Sequence, residues 1–173
     1  MTITTREIDS QPQVWRRALD LTPRATALLA RPGERVLAIG CGTSAFVANS
    51  FATLRENAGL GATDWAYASE PRTPRSYDAV LGISRSGDTT EVVDALRALP
   101  DGVRRIVVTG VADSPCARLA DDLLLLDFAD VPPGLGPDEV RWAFAHARLM
   151  RRRLSVADFL GFLGLWTDEL VDR

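Results

Sequence analysis

Residues 77–96 run from an apolar, β-prone stretch through a turn crowded with hydroxyls into apolar positions at helical spacing, and no other segment constrains the fold as much. Tyr77-Asp78-Ala79-Val80-Leu81-Gly82-Ile83 has the near-continuous apolar character of a parallel strand covered on both faces, and Val92, Val93, Ala95, Leu96 and Leu99 then follow a helical period. A turn between such elements leaves the first amide N–H groups of the helix without intrahelical partners, which favours an anion above the sheet edge. Ser84, Ser86 and Thr89 add O–H donors, and Gly87 removes a Cβ that would hold the backbone away from a ligand. Capping the helix would explain one such residue. Ser84, Ser86, Asp88, Thr89 and Thr90 fall within seven positions, an excess that reads as a phosphate cradle. Asp88 and Glu91 would repel a phosphate, so both are expected to point away from it.

A second junction of the same kind lies upstream. Arg35-Val36-Leu37-Ala38-Ile39-Gly40 reads as a strand, Cys41-Gly42-Thr43-Ser44 as a turn, and Ala45 to about Asn57 as a helix. Gly40-x-Gly42-x-x-Ala45 also fits a dinucleotide fingerprint, and Val36 to Thr43 fits the first motif of S-adenosylmethionine methyltransferases. The methyltransferase pattern needs an acid where Ala38 stands and a glycine where Ser44 stands. For a dinucleotide, Glu70 would have to hold a ribose, but Pro71 follows it and no other feature supports that role.

The alternation continues along the chain, with strands expected near residues 35–40, 64–68, 78–83, 103–109 and 122–127 and helices near 45–58, 89–99 and 114–120. An opening helical region spans about residues 11–30, breaking at Thr22-Pro23, and a helical tail starts near residue 138. This is the signature of an α/β fold in three αβα layers, a five-stranded parallel sheet of the flavodoxin-like type with an N-terminal helix and a helical C-terminal tail. The 173 residues suffice for one such domain, expected over residues 1–130, with residues 131–173 as linker and tail. The net charge of −3 argues against general nucleic-acid binding; Arg151-Arg152-Arg153 reads as a solvated helix face. No apolar run reaches membrane-spanning length and Thr2-Ile3-Thr4-Thr5-Arg6 lacks a secretory core, so a cytoplasmic protein without membrane contact is expected. Cys41 and Cys116 have no metal-ligand spacing and read as reduced thiols, Cys116 as packing; no metal and no cofactor are expected. At the start of a helix, Cys41 would have a depressed pKa.

Taken together, Gly40-Cys41-Gly42-Thr43-Ser44 and Ser84-Arg85-Ser86-Gly87-Asp88-Thr89 resemble the paired loops of the SIS, or sugar isomerase, domain family. Its members include the isomerising half of glutamine:fructose-6-phosphate aminotransferase and the ketose-aldose isomerases of amino-sugar catabolism. The family commonly has Gly-Cys-Gly-Thr-Ser and Ser-Gln-Ser-Gly-Glu-Thr at these loops. Glu7-Ile8-x-x-Gln11-Pro12 and Ser114-Pro115-Cys116-Ala117-Arg118-Leu119-Ala120-Asp121 extend the likeness, which runs from about Glu7 to Asp127. The resemblance implies that Ser84, Ser86 and Thr89 hold the phosphate of a sugar while Cys41, Gly42, Thr43 and Ser44 line its sugar side. Arg85 replaces the family's glutamine, and with Gly87 it completes the phosphate set, its planar fork being suited to bidentate contact. The resemblance further implies a homodimer or higher homo-oligomer, and the chain's own aromatic tail, with Trp142, Phe144, Phe159, Phe162 and Trp166, offers apolar surface for such contact.

Chemistry is less well provided for. Aldose-ketose isomerisation needs a base and an acid, yet all 20 basic residues are arginine, which excludes a lysine Schiff base. The one histidine, His146, sits in the apolar Trp142-Ala143-Phe144-Ala145-His146 stretch and reads as packing. The family's closing run, Glu-x-Ser-Val-Ala-x-Thr followed by a basic residue, has no counterpart beyond Glu139. Two functions therefore stay open beside the minor nucleotide reading: a phosphosugar isomerase or part of one, with its catalytic residues unassigned, and a non-catalytic phosphosugar sensor.

Overall fold

The computed structural model describes residues 12–14, 16–29, 31–70 and 75–128; the expected tail, His146, Arg151-Arg152-Arg153 and the Glu7–Gln11 opening lie outside them. From residue 22 on, the described residues form, in order, α1 (Thr22–Leu29), β1 (Val36–Gly40), α2 (Thr43–Asn57), β2 (Thr63–Tyr67), β3 (Ala79–Ile83), α3 (Thr90–Arg97), β4 (Arg104–Thr109), α4 (Pro115–Arg118) and β5 (Asp122–Leu125). The strands form one parallel sheet in the order β2-β1-β3-β4-β5.

The apolar runs become strands because both of their faces are covered. All five residues of β1 and all five of β3 are buried. Alternate side chains go to opposite layers: Val36, Ala38, Ala79, Leu81 and Ile83 pack with Leu29, Val47, Ala48 and Phe51 of α1 and α2, whereas Leu37, Ile39 and Val80 pack with Val92, Val93 and Leu96 of α3. Each fully buried Val, Leu or Ile in these layers contributes roughly 1.5–3 kcal/mol. β2 is an edge strand and mixes buried Thr63 with the 37 % exposed Trp65.

Three boundaries differ from the sequence expectation for identifiable reasons. The opening helical region turns at residues 20–21 and restarts with Pro23 inside the first turn of α1, where a missing N–H costs nothing. α3 stops at Arg97 because Pro100 restricts the residue before it, and Leu99 N–H bonds back to Leu96 O in a tight turn. α4 is only four residues long, since Asp121 is already drawn into the sheet, its N–H bonded to Arg105 O and its carboxylate accepting from Arg105 N at 2.7 Å.

At the amino-terminal end of the sheet, Arg104 joins Glu34 at 2.6 Å and Asp122 at 2.7 Å, tying the entry to β1 to the start of β5. The buried Arg55 guanidinium donates to Leu29 O, Arg31 O and Gly61 O and to Thr63 Oγ1, which fastens α1 and the entry of β2 to α2. Both clusters lie away from the carboxyl ends of the strands, where the hydroxyl-rich turns emerge.

Candidate functional site

The strand order creates the site. From β1 the chain moves to β2 on one side, and from β3 it moves to β4 on the other, so the connections leaving β1 and β3 diverge and open a crevice between them. Gly40 and Ile83, the last residues of β1 and β3, are register partners. Cys41-Gly42-Thr43-Ser44 and Ser84-Arg85-Ser86-Gly87-Asp88-Thr89 therefore begin side by side, one leading into α2 and the other into α3. Open parallel sheets bind their ligands at such a switch point.

The second turn is built from internal hydrogen bonds. Ser84 Oγ, in a side chain only 2 % exposed, accepts from Gly87 N–H at 3.1 Å and shares a 2.9 Å hydrogen bond with Thr89 Oγ1. Exposed Ser86 donates its hydroxyl to Asp88 Oδ1. Thr89 occupies the N-cap position of α3, yet its side chain makes no capping bond. By contrast, Ser114 caps α4 by accepting from Ala117 N–H at 3.3 Å. Helix capping thus accounts for Ser114 and not for the hydroxyls of residues 84–89. Gly87 has φ +70°, and a Cβ there would fall inside the Ser114 side chain and 2.9 Å from Thr109 Oγ1.

The back of this turn is fastened to β4 and α4. Ser84 N–H bonds to Val108 O, Gly110 N–H to Arg85 O at 2.9 Å, and Cys116 N–H to Gly87 O at 2.9 Å. Thr109 Oγ1 also donates to Arg85 O at 3.2 Å. Thr109, Gly110 and Cys116 escaped the sequence reading as site-supporting residues because they stand some 25–30 residues from the turn, and only the β3–β4 register brings them to it.

The first turn is tighter. Gly40 packs directly on the start of α2, where an added Cβ would lie 2.6 Å from the Ser44 carbonyl carbon. Ser44 N–H bonds to Cys41 O, Ala45 N–H to Gly42 O, and Gly42 caps α2 without a side-chain bond. Thr43 and Ser44 are partly exposed and Gly42 is exposed. The Cys41 thiol is pushed up, not down, chiefly by burial and then by the Glu91 carboxylate, with a hydrogen bond from the Ala68 backbone opposing them. This corrects the depressed pKa expected at a helix start. The Asp88 carboxylate accepts from the Ser86 hydroxyl, and the buried Cys116 thiol is raised to about 11 mainly by burial and further by the Asp88 charge.

Both turns thus present uncapped helix starts, α2 and α3, to one crevice, an arrangement suited to an anion with a polar body attached. Among the described residues no group of three or more His, Cys, Asp or Glu gathers as a metal site would require.

A family model described as the SIS domain matches residues 28–129, more than half of the chain and both turns. The chain belongs to the SIS domain family. Solved structures with this fold include the C-terminal domain of glucosamine-fructose-6-phosphate aminotransferase from Francisella tularensis, 19% identical, with a TM-score of 0.65 over 93% of this chain and 47% of that one. A hypothetical protein from Methanococcus jannaschii, for which a 3-hexulose-6-phosphate isomerase function was inferred from its structure, is 18% identical, with a TM-score of 0.63 over 97% of each chain. A glucosamine-6-phosphate deaminase from Thermotoga maritima is 20% identical, with a TM-score of 0.59 over 96% of this chain and 49% of that one. At these identities the likeness concerns the fold. The SIS chain spans about half of the aminotransferase and deaminase structures and nearly all of the Methanococcus one. No curated protein sequence matches it. No helix among the described residues is long and apolar enough to cross a membrane.

Proposed function

We propose that this SIS domain binds a hexose or amino-sugar phosphate in the crevice between β1 and β3, as a sugar-phosphate isomerase or part of one. The single observation carrying this reading is that the two hydroxyl-lined turns leave register-paired strand ends at the switch point of the sheet. The phosphate takes the loop of Ser84, Arg85, Ser86, Gly87 and Thr89, with Ser84 acting through Thr89, and the sugar lies toward Cys41, Gly42, Thr43 and Ser44. The names of several structural neighbours, among them a 3-hexulose-6-phosphate isomerase-like protein, support this ligand class. The working unit in this proposal is residues 1–130 of a cytoplasmic homodimer or higher homo-oligomer, with residues 131–173 as linker and helical tail.

A second reading, a phosphosugar sensor without catalysis, is favoured by one feature of composition. The chain contains no lysine, and no histidine occurs among the described residues. Thermal shift with fructose 6-phosphate, glucosamine 6-phosphate and inorganic phosphate tests binding, and a coupled isomerase assay separates the two readings. Ser86→Ala and Thr89→Ala should each weaken binding by about 10- to 100-fold, since a hydrogen bond to a charged group is worth about 1.5–3 kcal/mol. Unchanged affinity in both variants would count decisively against the phosphate loop.

A further inference from the structure

Two carbonyls of the phosphate loop are pulled toward β4 and α4. Arg85 O accepts from Gly110 N–H at 2.9 Å and from the Thr109 hydroxyl at 3.2 Å, and Gly87 O accepts from Cys116 N–H at 2.9 Å. All peptide bonds of the described residues are trans. In a planar trans peptide the N–H points opposite to the C=O of the same unit. The Arg85 carbonyl faces β4, so the Ser86 N–H faces the other way; the Gly87 carbonyl faces α4, so the Asp88 N–H does likewise. β4 and β1 flank β3 on opposite sides, so the Ser86 amide, directed away from β4, lies toward the β1 side on which the crevice opens. Gly87, at φ +70°, supplies the left-handed residue between the two amides, as anion-binding backbone nests require.

We infer that Thr109 is a positioning residue for the ligand phosphate, its hydroxyl locking the Arg85 carbonyl toward β4 so that the Ser86 and Asp88 amides form an anion nest facing the crevice. This rests on the phosphosugar reading and extends it to a residue outside both turns. Thr109 is itself 1 % exposed and has no access to the ligand. Its Oγ1 also accepts from Val111 N–H at 3.3 Å, which fixes the rotamer that aims the hydroxyl at Arg85. Valine at this position would keep the shape and lose the hydroxyl, whereas serine would keep the hydroxyl.

The test uses the full chain with inorganic phosphate and fructose 6-phosphate as probes. Thr109→Val should weaken both probes by the same factor, about tenfold, because the lock acts on the phosphate end alone. Thr109→Ser should stay within about twofold of the unaltered protein. In the unaltered protein, amide NMR should show the Ser86 and Asp88 N–H signals moving downfield as either probe is titrated, a response that a purely structural Thr109 would not require. Equal affinities for Thr109→Val and the unaltered protein, or binding that leaves both amides unmoved, would overturn this inference while the phosphosugar reading stood. Absence of binding of either probe to the unaltered protein would overturn both.

Discussion

Replacing Gly87 by alanine tests whether the phosphate loop is held from behind as described, and Gly59 supplies a matched control. The two glycines have nearly the same backbone torsion, φ +70° and +69°. A Cβ at Gly59 would meet nothing within 4 Å, whereas one at Gly87 would run into the side chain of Ser114 and approach Thr109 Oγ1 at 2.9 Å. Gly59→Ala should therefore cost only the left-handed conformation, about 1–2 kcal/mol. Gly87→Ala should cost the same plus overpacking of about 1–3 kcal/mol, and about 1 kcal/mol more if Ser114 gives up its cap on Ala117 N–H. The difference, about 2 kcal/mol or more, corresponds to about 1 M in urea midpoint for a small domain. Equilibrium urea unfolding, paired with fructose 6-phosphate titration, reads both consequences: Gly87→Ala should lose binding and Gly59→Ala should retain it. Coincident midpoints, or undiminished binding by Gly87→Ala, would refute the packing of the loop on Ser114 and Thr109.

Arg104→Ala should destabilise the fold by about 2 kcal/mol in the same unfolding experiment, less than for a fully buried pair because Glu34 and Asp122 remain partly solvated. Its affinity for fructose 6-phosphate should be unchanged, since the cluster sits at the far end of the sheet. Burial, followed by the Asp88 charge, raises Cys116 from the ordinary 9.0 to about 11. Between those values the unfolded thiol gives up its proton first, so stability should fall as pH rises through that interval, by up to about 2–3 kcal/mol. Cys116→Ala should flatten that part of the pH profile, and an unaltered slope would assign it to other groups.

The fold was legible where one physical cause dominates. β1 and β3 read as strands because burial on both faces demands an uninterrupted apolar run, and α3 read as a helix because Val92, Val93 and Leu96 share the face it turns to the sheet. The two turns were legible because their hydroxyls and glycines exceed what capping needs, and Ser114 in α4 illustrates what ordinary capping looks like in this same chain. Interactions set by register were not legible. Nothing local to Thr109 announces that it will meet Arg85 O, since parallel pairing of β3 with β4 is decided by the whole sheet. The direction of the Cys41 shift was hidden for a related reason: a helix start lowers a thiol pKa, but burial and the charge of Glu91, brought across from α3, prevail.

A crystal structure of the protein grown with fructose 6-phosphate tests the central claim most directly. The account predicts density for the phosphate on the Ser84–Thr89 turn, within hydrogen-bond distance of Ser86 and Thr89, and for the sugar over Cys41–Ser44. A phosphate bound away from the β1–β3 crevice, or a crevice left empty at saturating ligand, would contradict it.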